Sequence, residues 1–589
     1  MSDNQKNLEC TRHTLAHLLA SSVQKLYADT NLTLGPAIDN GFYYDIEFKN
    51  KKPGTEEELK QLTDKMREYI KIGGEFTHQE ATEQEARDIF KDNKFKLELI
   101  DEIVKRGEKI TLYTINFKNG EKFLDLCRGG HVEHIEDIDE FSFEISKIAG
   151  AYWKGDEKRE QLTRIYGLAF ENQEALNNYK GQQEEAKKRD HRILGRELGL
   201  FVFSDLVGPG LPLWTPKGTF IRNKIDNFVQ ELRSKDGYDR VTIPHITKSD
   251  LYKKSGHWEK YAEDLYKINT RDDHVLCMKP MNCPHHAQIY ASELRSYKEL
   301  PVRYSETTMV YRDEQSGELS GLSRVLSITQ DDAHIFCRES QLMDEMEKVW
   351  NLIEEFYTTF GFLDITPRFS ARDDDAKFKG NMELWEKAEA AILQLLNKKV
   401  GDKWINGEGE AAFYGPKIDF MAKDALGRTH QVGTIQVDFV QPTNFGLEYV
   451  TEEGKRDMPV MIHCAIAGSL ERFLSVYLEH TAGNFPLWIS PVQVNIIPIN
   501  NEAHGEYAKD LLNALKENNI RVNILDYKDG LGKKIQKTKE QKIPYHIIIG
   551  DKDRDANLYT LESRDLGQIG QVDKLTLINR LKKEIEDKK

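Results

Sequence analysis

Thr308-Met309-Val310-Tyr311-Arg312-Asp313-Glu314 is the stretch on which the reading of this chain turns. It runs through a glycine-containing loop to Gly321-Leu322-Ser323-Arg324, and then to Gln330 and Asp332. A second arginine-bearing segment, Ala467-Gly468-Ser469-Leu470-Glu471-Arg472-Phe473, lies far downstream. Arginine suits the gripping of anions, because its planar fork meets carboxylate and phosphate at two points. A lone arginine is better read as a surface salt bridge.

Working outward, three residues stand in segments dense with chemistry. Cys283 lies in Met281-Asn282-Cys283-Pro284-His285-His286, His334 in Thr329-Gln330-Asp331-Asp332-Ala333-His334, and His463 in Ile462-His463-Cys464-Ala465. One thiolate and two imidazoles make a three-ligand zinc set with a coordination position left open. Singly, each is more often a buried thiol or a satisfied core histidine. Their joint placement beside Arg312 and Arg472 favours the metal.

These segments resemble motifs 2 and 3 of the class II aminoacyl-tRNA synthetases. With Cys283, His334 and His463 they resemble the threonyl-tRNA synthetase family in particular. The resemblance covers nearly the whole chain, is very specific in the middle and weakens toward the C-terminus. It implies ATP-dependent activation of L-threonine to threonyl-adenylate, transfer to tRNA(Thr), and hydrolytic editing of seryl-tRNA(Thr). It also implies Zn2+ in the catalytic domain, Mg2+ with the ATP, and a homodimer.

Length and composition agree with that expectation. A chain of 589 residues exceeds one core, so three or four domains are expected. Hydrophobic residues at 39% and charged residues at 31% are those of a soluble globular protein. The net charge of −15 is unusual for a tRNA binder, but nucleic-acid affinity depends on local basic patches. Lys187-Lys188-Arg189 and Lys533-Lys534 are candidates, against the plainer reading of solvated charge. Six scattered cysteines form no disulfide framework, which fits a reducing compartment. There is no apolar signal core at the N-terminus and no stretch long enough to span a bilayer, so a cytoplasmic protein with no membrane association is expected.

The fold class expected is a multidomain chain of α/β and α+β parts. A class II antiparallel-sheet catalytic core is flanked by an N-terminal α+β editing domain and a C-terminal α/β anticodon-binding domain. The boundaries read 1–168 for editing, 169–198 for a helical linker, 199–487 for the catalytic domain and 488–589 for anticodon binding. Leu15, Leu18, Leu19, Val23 and Leu26 recur at helical spacing, predicting a helix over 13–26. Gly41 to Phe48 alternates as a strand. The charged stretch from Glu171 to Leu198 has little apolar face and reads as a solvent-bridging helical linker. Phe220 to Lys235 reads as a helix, followed by a strand ending at Pro244. This pair resembles motif 1, the family's dimer interface. Downstream, strands Val492–Ile497, Arg521–Asp526 and Tyr545–Ile549 with a helix Glu502–Glu517 predict a small α/β domain with a parallel or mixed sheet.

Activation joins a carboxylate to the α-phosphate of ATP, so the chemical need is for positioned cations. The resemblance gives Arg312 the bridge between substrate carboxylate and α-phosphate, and Glu314 the adenine amino group. It gives Arg324 and Arg472 the γ-phosphate. Gln330, Gln436 and Lys417 match further polar positions around the adenylate. Asp332 would accept the threonine hydroxyl, and Tyr414 would pack near the amino acid. Valine has threonine's shape without the hydroxyl, and a site built around that group rejects it by about 10⁴–10⁵.

Serine lacks only a methyl, worth about 1–3 kcal/mol, so a second, hydrolytic site is expected. His13-Thr14-Leu15-Ala16-His17 puts two imidazoles on one helix face. Cys127-Arg128-Gly129-Gly130-His131 adds a thiol and a third imidazole, with Asp125 just before it. The set resembles the editing domain of threonyl- and alanyl-type enzymes. The spacing also permits a second zinc site; the family reading is a metal-free site that orients water.

The chain departs from the family pattern at several points. His285 stands where glycine is usual, as a fourth imidazole that either competes for the metal or points away. Cys464 stands for arginine and Gly130 for proline. The small ubiquitin-like domain of many bacterial relatives is expected to be absent. In the C-terminal domain Lys528-Asp529-Gly530-Leu531-Gly532 replaces the usual Asn-Glu-Lys-Ile-Gly, and Glu562 takes an arginine's place, with Arg564 or Lys552 as substitutes. A rival reading is therefore a paralogue that activates threonine without efficient tRNA charging. A second is a zinc hydrolase using the N-terminal set alone.

Overall fold

A computed structural model gives the fold of residues 3–373, 378 and 381–589, the side chains of residues 3–5 excepted. The chain divides into two compact units, Met1–Glu184 and Glu185–Lys589.

In the first unit the apolar stripe Leu15, Leu18, Leu19 and Val23 is wholly buried on the helix Asp3–Leu26, which begins well before the predicted residue 13. The stripe packs on an antiparallel sheet ordered Thr30–Leu32, Gly41–Phe48, Gln161–Ala169, Phe143–Tyr152, with Ala37–Ile38 paired to Gly41–Phe48. Gly167 lets the sheet close over Phe42: a Cβ there would stand 2.2 Å from the ring. A second sheet, Gly74–Ala81, Ile110–Phe117, Lys122–Leu126, brings Asp125 and Cys127 toward the helix.

The predicted single linker helix is two helices, Gln173–Lys188 and His191–Glu197. Asp190 restarts the helix by accepting the Arg192 backbone N–H at 2.8 Å, a cap that competes with continuation. The next helix runs Pro216–Lys235, four residues earlier than read, because Thr215 caps it and Pro216 occupies its first position. The strand expected to end at Pro244 is only Asp239–Arg240.

The second unit is built on an eight-stranded sheet. Its order is Asp239–Arg240, Val302–Tyr311, Ser327–Cys337, Val460–Ala465, Thr429–Asp438, Lys417–Lys423, Ile365–Ala371, Ile405–Glu408, antiparallel except for its two edge pairs. Helices Pro216–Lys235, Leu342–Thr359 and Leu470–Thr481 join its apolar side in one core with Ala333, Ile335, Ile435 and Ile462. The opposite side carries the polar residues, since side chains alternate along a strand. Register then sets a row across the sheet: Tyr304 faces His334, His334 faces His463, His463 faces Gln436 and Gln436 faces Lys417. A one-residue slip of any strand would turn its member of the row into the core.

The C-terminal part has a five-stranded mixed sheet ordered Val522–Ile524, Val494–Pro498, Tyr545–Ile549, Tyr559–Ser563, Gly567–Val572. The first three strands are parallel and the last two antiparallel. The antiparallel core, the α+β N-terminal part and the α/β C-terminal part expected from sequence are all present. Among the described residues no helix is long and apolar enough to cross a membrane.

Candidate active site

The polar row converges on one buried centre. Cys283 opens the helix Cys283–Ala291, and its thiol lies with His334 and His463 so that their donor atoms fall within 4.8 Å of one another. His334 Nε2 is 3.1 Å from His463 Nδ1. The outer nitrogens are held: His334 Nδ1 by His286 Nδ1 at 2.8 Å, and His463 Nε2 by Asp438 Oδ2 at 2.8 Å. Anchored outer nitrogens are how metal-binding imidazoles are oriented. Burial pushes the Cys283 thiol well above its ordinary range, and Asp332 and Asp438 push it further, so the thiolate needs a cation beside it. The donor set therefore fits a zinc ion.

Around this centre, Asp332 Oδ2 accepts from Asn282 Nδ2 at 3.0 Å, and its Oδ1 is 3.7 Å from His334 Nε2. The Tyr414 ring stacks on His463 at 4.8 Å, and its hydroxyl donates to Gln436 Oε1 at 2.8 Å. Lys417 Nζ is 2.5 Å from Asp419 Oδ2, and Gln330 pairs with Ser469 at the start of the Arg472 helix. Among the described residues the guanidinium groups of Arg312 and Arg472 make no hydrogen bond or ion pair. Arg324, by contrast, is paired with Glu314 at 2.7 Å and Glu318 at 3.1 Å. Glu314 and Arg324, expected on opposite ends of ATP, thus neutralise each other here.

The N-terminal set forms a second centre. Cys127 Sγ lies 3.5 Å from His13 Nε2 and 3.2 Å from His131 Nε2, and His17 Nδ1 lies 3.8 Å from Asp125 Oδ2. All four donors, His13, His17, Cys127 and His131, fall within 4.8 Å of one another. Asp125 is also bound by the Lys96 ammonium and by the Tyr44 hydroxyl at 2.5 Å. Burial lowers all three imidazoles, His131 to about 2, and raises the Cys127 thiol to about 11. A cavity of about 410 Å³ opens beside His13, His17, Lys96, Asp125 and Cys127.

Comparison with known proteins agrees on all three parts. Residues 110–166 match the family described as threonyl and alanyl tRNA synthetase second additional domain. Residues 266–481 match the tRNA synthetase class II core domain (G, H, P, S and T), and residues 493–584 an anticodon binding domain. A threonine–tRNA ligase of Gloeobacter violaceus is 45% identical over 576 residues, covering 96% of this chain and 90% of that protein. The chain belongs to the threonyl-tRNA synthetase family. The threonine–tRNA ligase of Flavobacterium johnsoniae is 46% identical over 563 residues, 95% of this chain and 85% of that one. Among solved structures, the RNA binding domain of threonyl-tRNA synthetase from Cryptosporidium parvum Iowa II superposes with a TM-score of 0.63 at 37% identity, covering 67% of this chain and 98% of that chain.

Against this family's pattern, several departures resolve locally. His285 does not join the Cys283, His334 and His463 set; its neighbour His286 touches His334, while both ring nitrogens of His285 are buried without a partner. Cys464 is buried and its carbonyl accepts from Arg233 at 3.4 Å. In the C-terminal part Glu562 is engaged by His546 at 3.4 Å and Lys539 at 3.9 Å. Arg564 is spent on the carbonyls of Phe485 and Lys542, at 3.1 and 2.9 Å, which takes it away from the role of substitute for the missing arginine. Lys534 is buried, so Lys533-Lys534 is not a surface patch.

Sequence reading missed Lys96, Tyr44, His257 and Arg233. Lys96 and Tyr44 lie in ordinary amphipathic elements, with nothing nearby to mark them. His257 Nε2 is 3.8 Å from Cys283 Sγ, in the segment Ser255-Gly256-His257-Trp258, whose glycine and histidine were a signal available to be read. Arg233, 1% exposed, pairs with Asp331 at 2.6 Å and donates to the Asp332 carbonyl at 3.0 Å. It sits on a helix whose polar face gave no hint of burial.

Proposed function

We propose that the chain is a threonine–tRNA ligase that activates L-threonine with ATP, transfers it to tRNA(Thr), and hydrolyses seryl-tRNA(Thr) at its N-terminal site. The single observation that carries this reading is the row His334, His463, Gln436 and Lys417, closed by Cys283 and Asp332, in a unit that also holds the unpaired guanidinium groups of Arg312 and Arg472. It is a pocket for a small zwitterion with a hydroxyl, beside cations for a triphosphate. The domain limits 1–168, 169–198, 199–487 and 488–589 belong to this reading, as do a cytoplasmic location and a homodimer through helix Pro216–Lys235.

Cys283, His334 and His463 would hold the zinc ion, which supplies a Lewis-acid grip on amine and hydroxyl when bound. Asp332 accepts the hydroxyl proton, and Asn282 fixes that carboxylate. Valine brings no hydroxyl to the Asp332 oxygen that Asn282 leaves free, and that unpaired buried acceptor is the source of discrimination. Arg312 draws the substrate carboxylate to the α-phosphate, and Arg472 and Arg324 hold the γ-phosphate, with Mg2+ accompanying ATP. Binding must exchange the Arg324–Glu314 pair for phosphate on one side and the adenine amino group on the other. Gln330, Lys417 and Gln436 line the adenylate, and Tyr414 walls the amino acid.

At the N-terminal site the neutral imidazoles of His13, His17 and His131 hold the seryl ester and a water. The Cys127 thiol stays protonated, so it packs and donates rather than attacks. Lys96 places a buried positive charge on Asp125, which opposes a second cation and favours the metal-free reading.

Aminoacylation of tRNA(Thr) transcripts with threonine, ATP and Mg2+ tests the reading. Charging with threonine, and release of serine from seryl-tRNA, are expected. Threonine activation without charging would select the paralogue instead; relatives at 43–46% identity over nearly the full chain are threonine–tRNA ligases, which weighs against it.

A further inference from the structure

His191 meets the return limb of the loop that carries Arg324, and nothing assigned above uses it. It opens the short helix His191–Glu197 and is 4% exposed. Its Nδ1 lies 2.7 Å from Glu479 Oε1, which also accepts the His191 backbone N–H at 3.0 Å. Its Nε2 accepts the backbone N–H of Leu322 at 3.0 Å. That second bond fixes the tautomer: Nε2 is bare, and Nδ1 gives its proton to Glu479. Gly321 rests directly on the ring, since a Cβ there would lie 2.2 Å from His191 Nε2, at φ +50.

Glu479 stands on the helix Leu470–Thr481, which also carries Arg472. Its other oxygen accepts from Arg428 Nη2 at 2.5 Å, and Arg428 is paired in turn with Asp424 at 2.7 Å. Ser323 Oγ meets Ser475 Oγ of the same helix at 3.0 Å. Residues 321–323 are therefore tied to the Arg472 helix twice, once directly and once through His191. Arg324 follows the tied segment at once. Asp190, His191 and Glu479 also have donor atoms close enough for a metal ion. Both ring nitrogens are already engaged, however, and Asp190 is gripped by Arg192 Nη2 at 2.5 Å, so a hydrogen-bonded relay accounts for the cluster.

We propose that His191 is a positioning residue for ATP: the relay Glu479–His191–Leu322 sets Arg324 against Arg472 so that both reach one triphosphate. The proposal rests on the functional reading above. His191 itself touches no reacting atom.

The test is threonine-dependent ATP–pyrophosphate exchange with the full-length protein and its variants His191→Ala, His191→Gln and Glu479→Gln, with rates normalised to active sites by adenylate burst. His191→Ala, which removes both ring hydrogen bonds and so unties Leu322 from Glu479, is expected to raise the KM for ATP about tenfold. The KM for threonine stays within about twofold, and kcat per active site falls less than the KM for ATP rises. His191→Gln, whose amide oxygen can accept from Leu322, recovers most of the ATP KM. Glu479→Gln falls between. A KM for ATP that does not move, or that rises together with that for threonine, overturns the proposal. So does a loss confined to the active fraction. If the alanine variant does not fold, the other two variants decide by the same comparison. Absence of exchange in the unmodified protein would remove the functional reading itself; an unmoved ATP KM in an active enzyme removes only this inference.

Discussion

His334 Nε2 and His463 Nδ1 face each other at 3.1 Å across neighbouring strands, each ring locked from behind by a different partner. Asp438 is the lock on His463, and a carboxylate in that position orients the ring and fixes its tautomer. Asp438→Asn should therefore weaken zinc binding about 10- to 100-fold without unfolding the sheet. Competition with a chelator reads this directly. Unchanged zinc affinity would show that the carboxylate serves packing alone.

On the proposed reading, the buried Lys96–Asp125 pair opposes a second metal at the N-terminal site. The full-length protein should carry about one zinc per chain, and Cys127→Ser should carry the same amount. Lys96→Met, similar in length but neutral, should slow seryl-tRNA deacylation by about 10²-fold while threonine activation is unchanged. Two zincs per chain, one of them lost with Cys127, would reverse the assignment.

The same site dictates a pH response. His13, His17 and His131 are lowered in the fold from an ordinary 6.5, His131 to about 2, because burial penalises the charged ring. Between those limits the unfolded chain binds more protons than the folded one. The contribution of these histidines to the stability of this unit is then constant above about pH 7 and falls as pH drops through 6.5 and below. Hydrogen exchange of Asp3–Leu26 at pH 7.5 and 5.0 checks the sign: protection should be lower at pH 5.0. Equal or greater protection at pH 5.0 would mean that the rings are charged in the fold.

The Arg312 guanidinium has no protein partner among the described residues, so its removal costs function and not structure. Arg312→Ala should cut threonine-dependent pyrophosphate exchange by about 10²–10³, with melting temperature unchanged. Arg312→Lys should recover little, because a point charge cannot replace the two-point fork. Near-normal exchange in Arg312→Ala would place the reaction elsewhere.

Much of this was legible in the residues. Motif-like segments located the sheet, and Cys283, His334 and His463 were named without knowing that register aligns the two histidines in adjacent strands. His13, His17, Cys127 and His131 could be grouped because two short-range pairs share ligand spacing. Lys96 and Arg233 could not be seen, since a cation buried by tertiary packing looks the same in sequence as one in water. The pairing of Arg324 with Glu314 was also hidden: it joins two residues ten apart across a loop whose closure no local pattern marks. Arg564 was offered as an anticodon contact by position, but the carbonyls of Phe485 and Lys542 claim it, a choice made by loop geometry alone.

The most direct test of the central claim compares threonine with valine in pyrophosphate exchange, using unmodified protein, Cys283→Ser and Asp332→Ala, with zinc measured in each. The account predicts rejection of valine by about 10⁴ or more in the unmodified protein. Cys283→Ser should lose the metal, and Asp332→Ala should keep the metal but lose most of that preference. Full threonine preference in a protein shown to be free of zinc, or in Asp332→Ala, would contradict it.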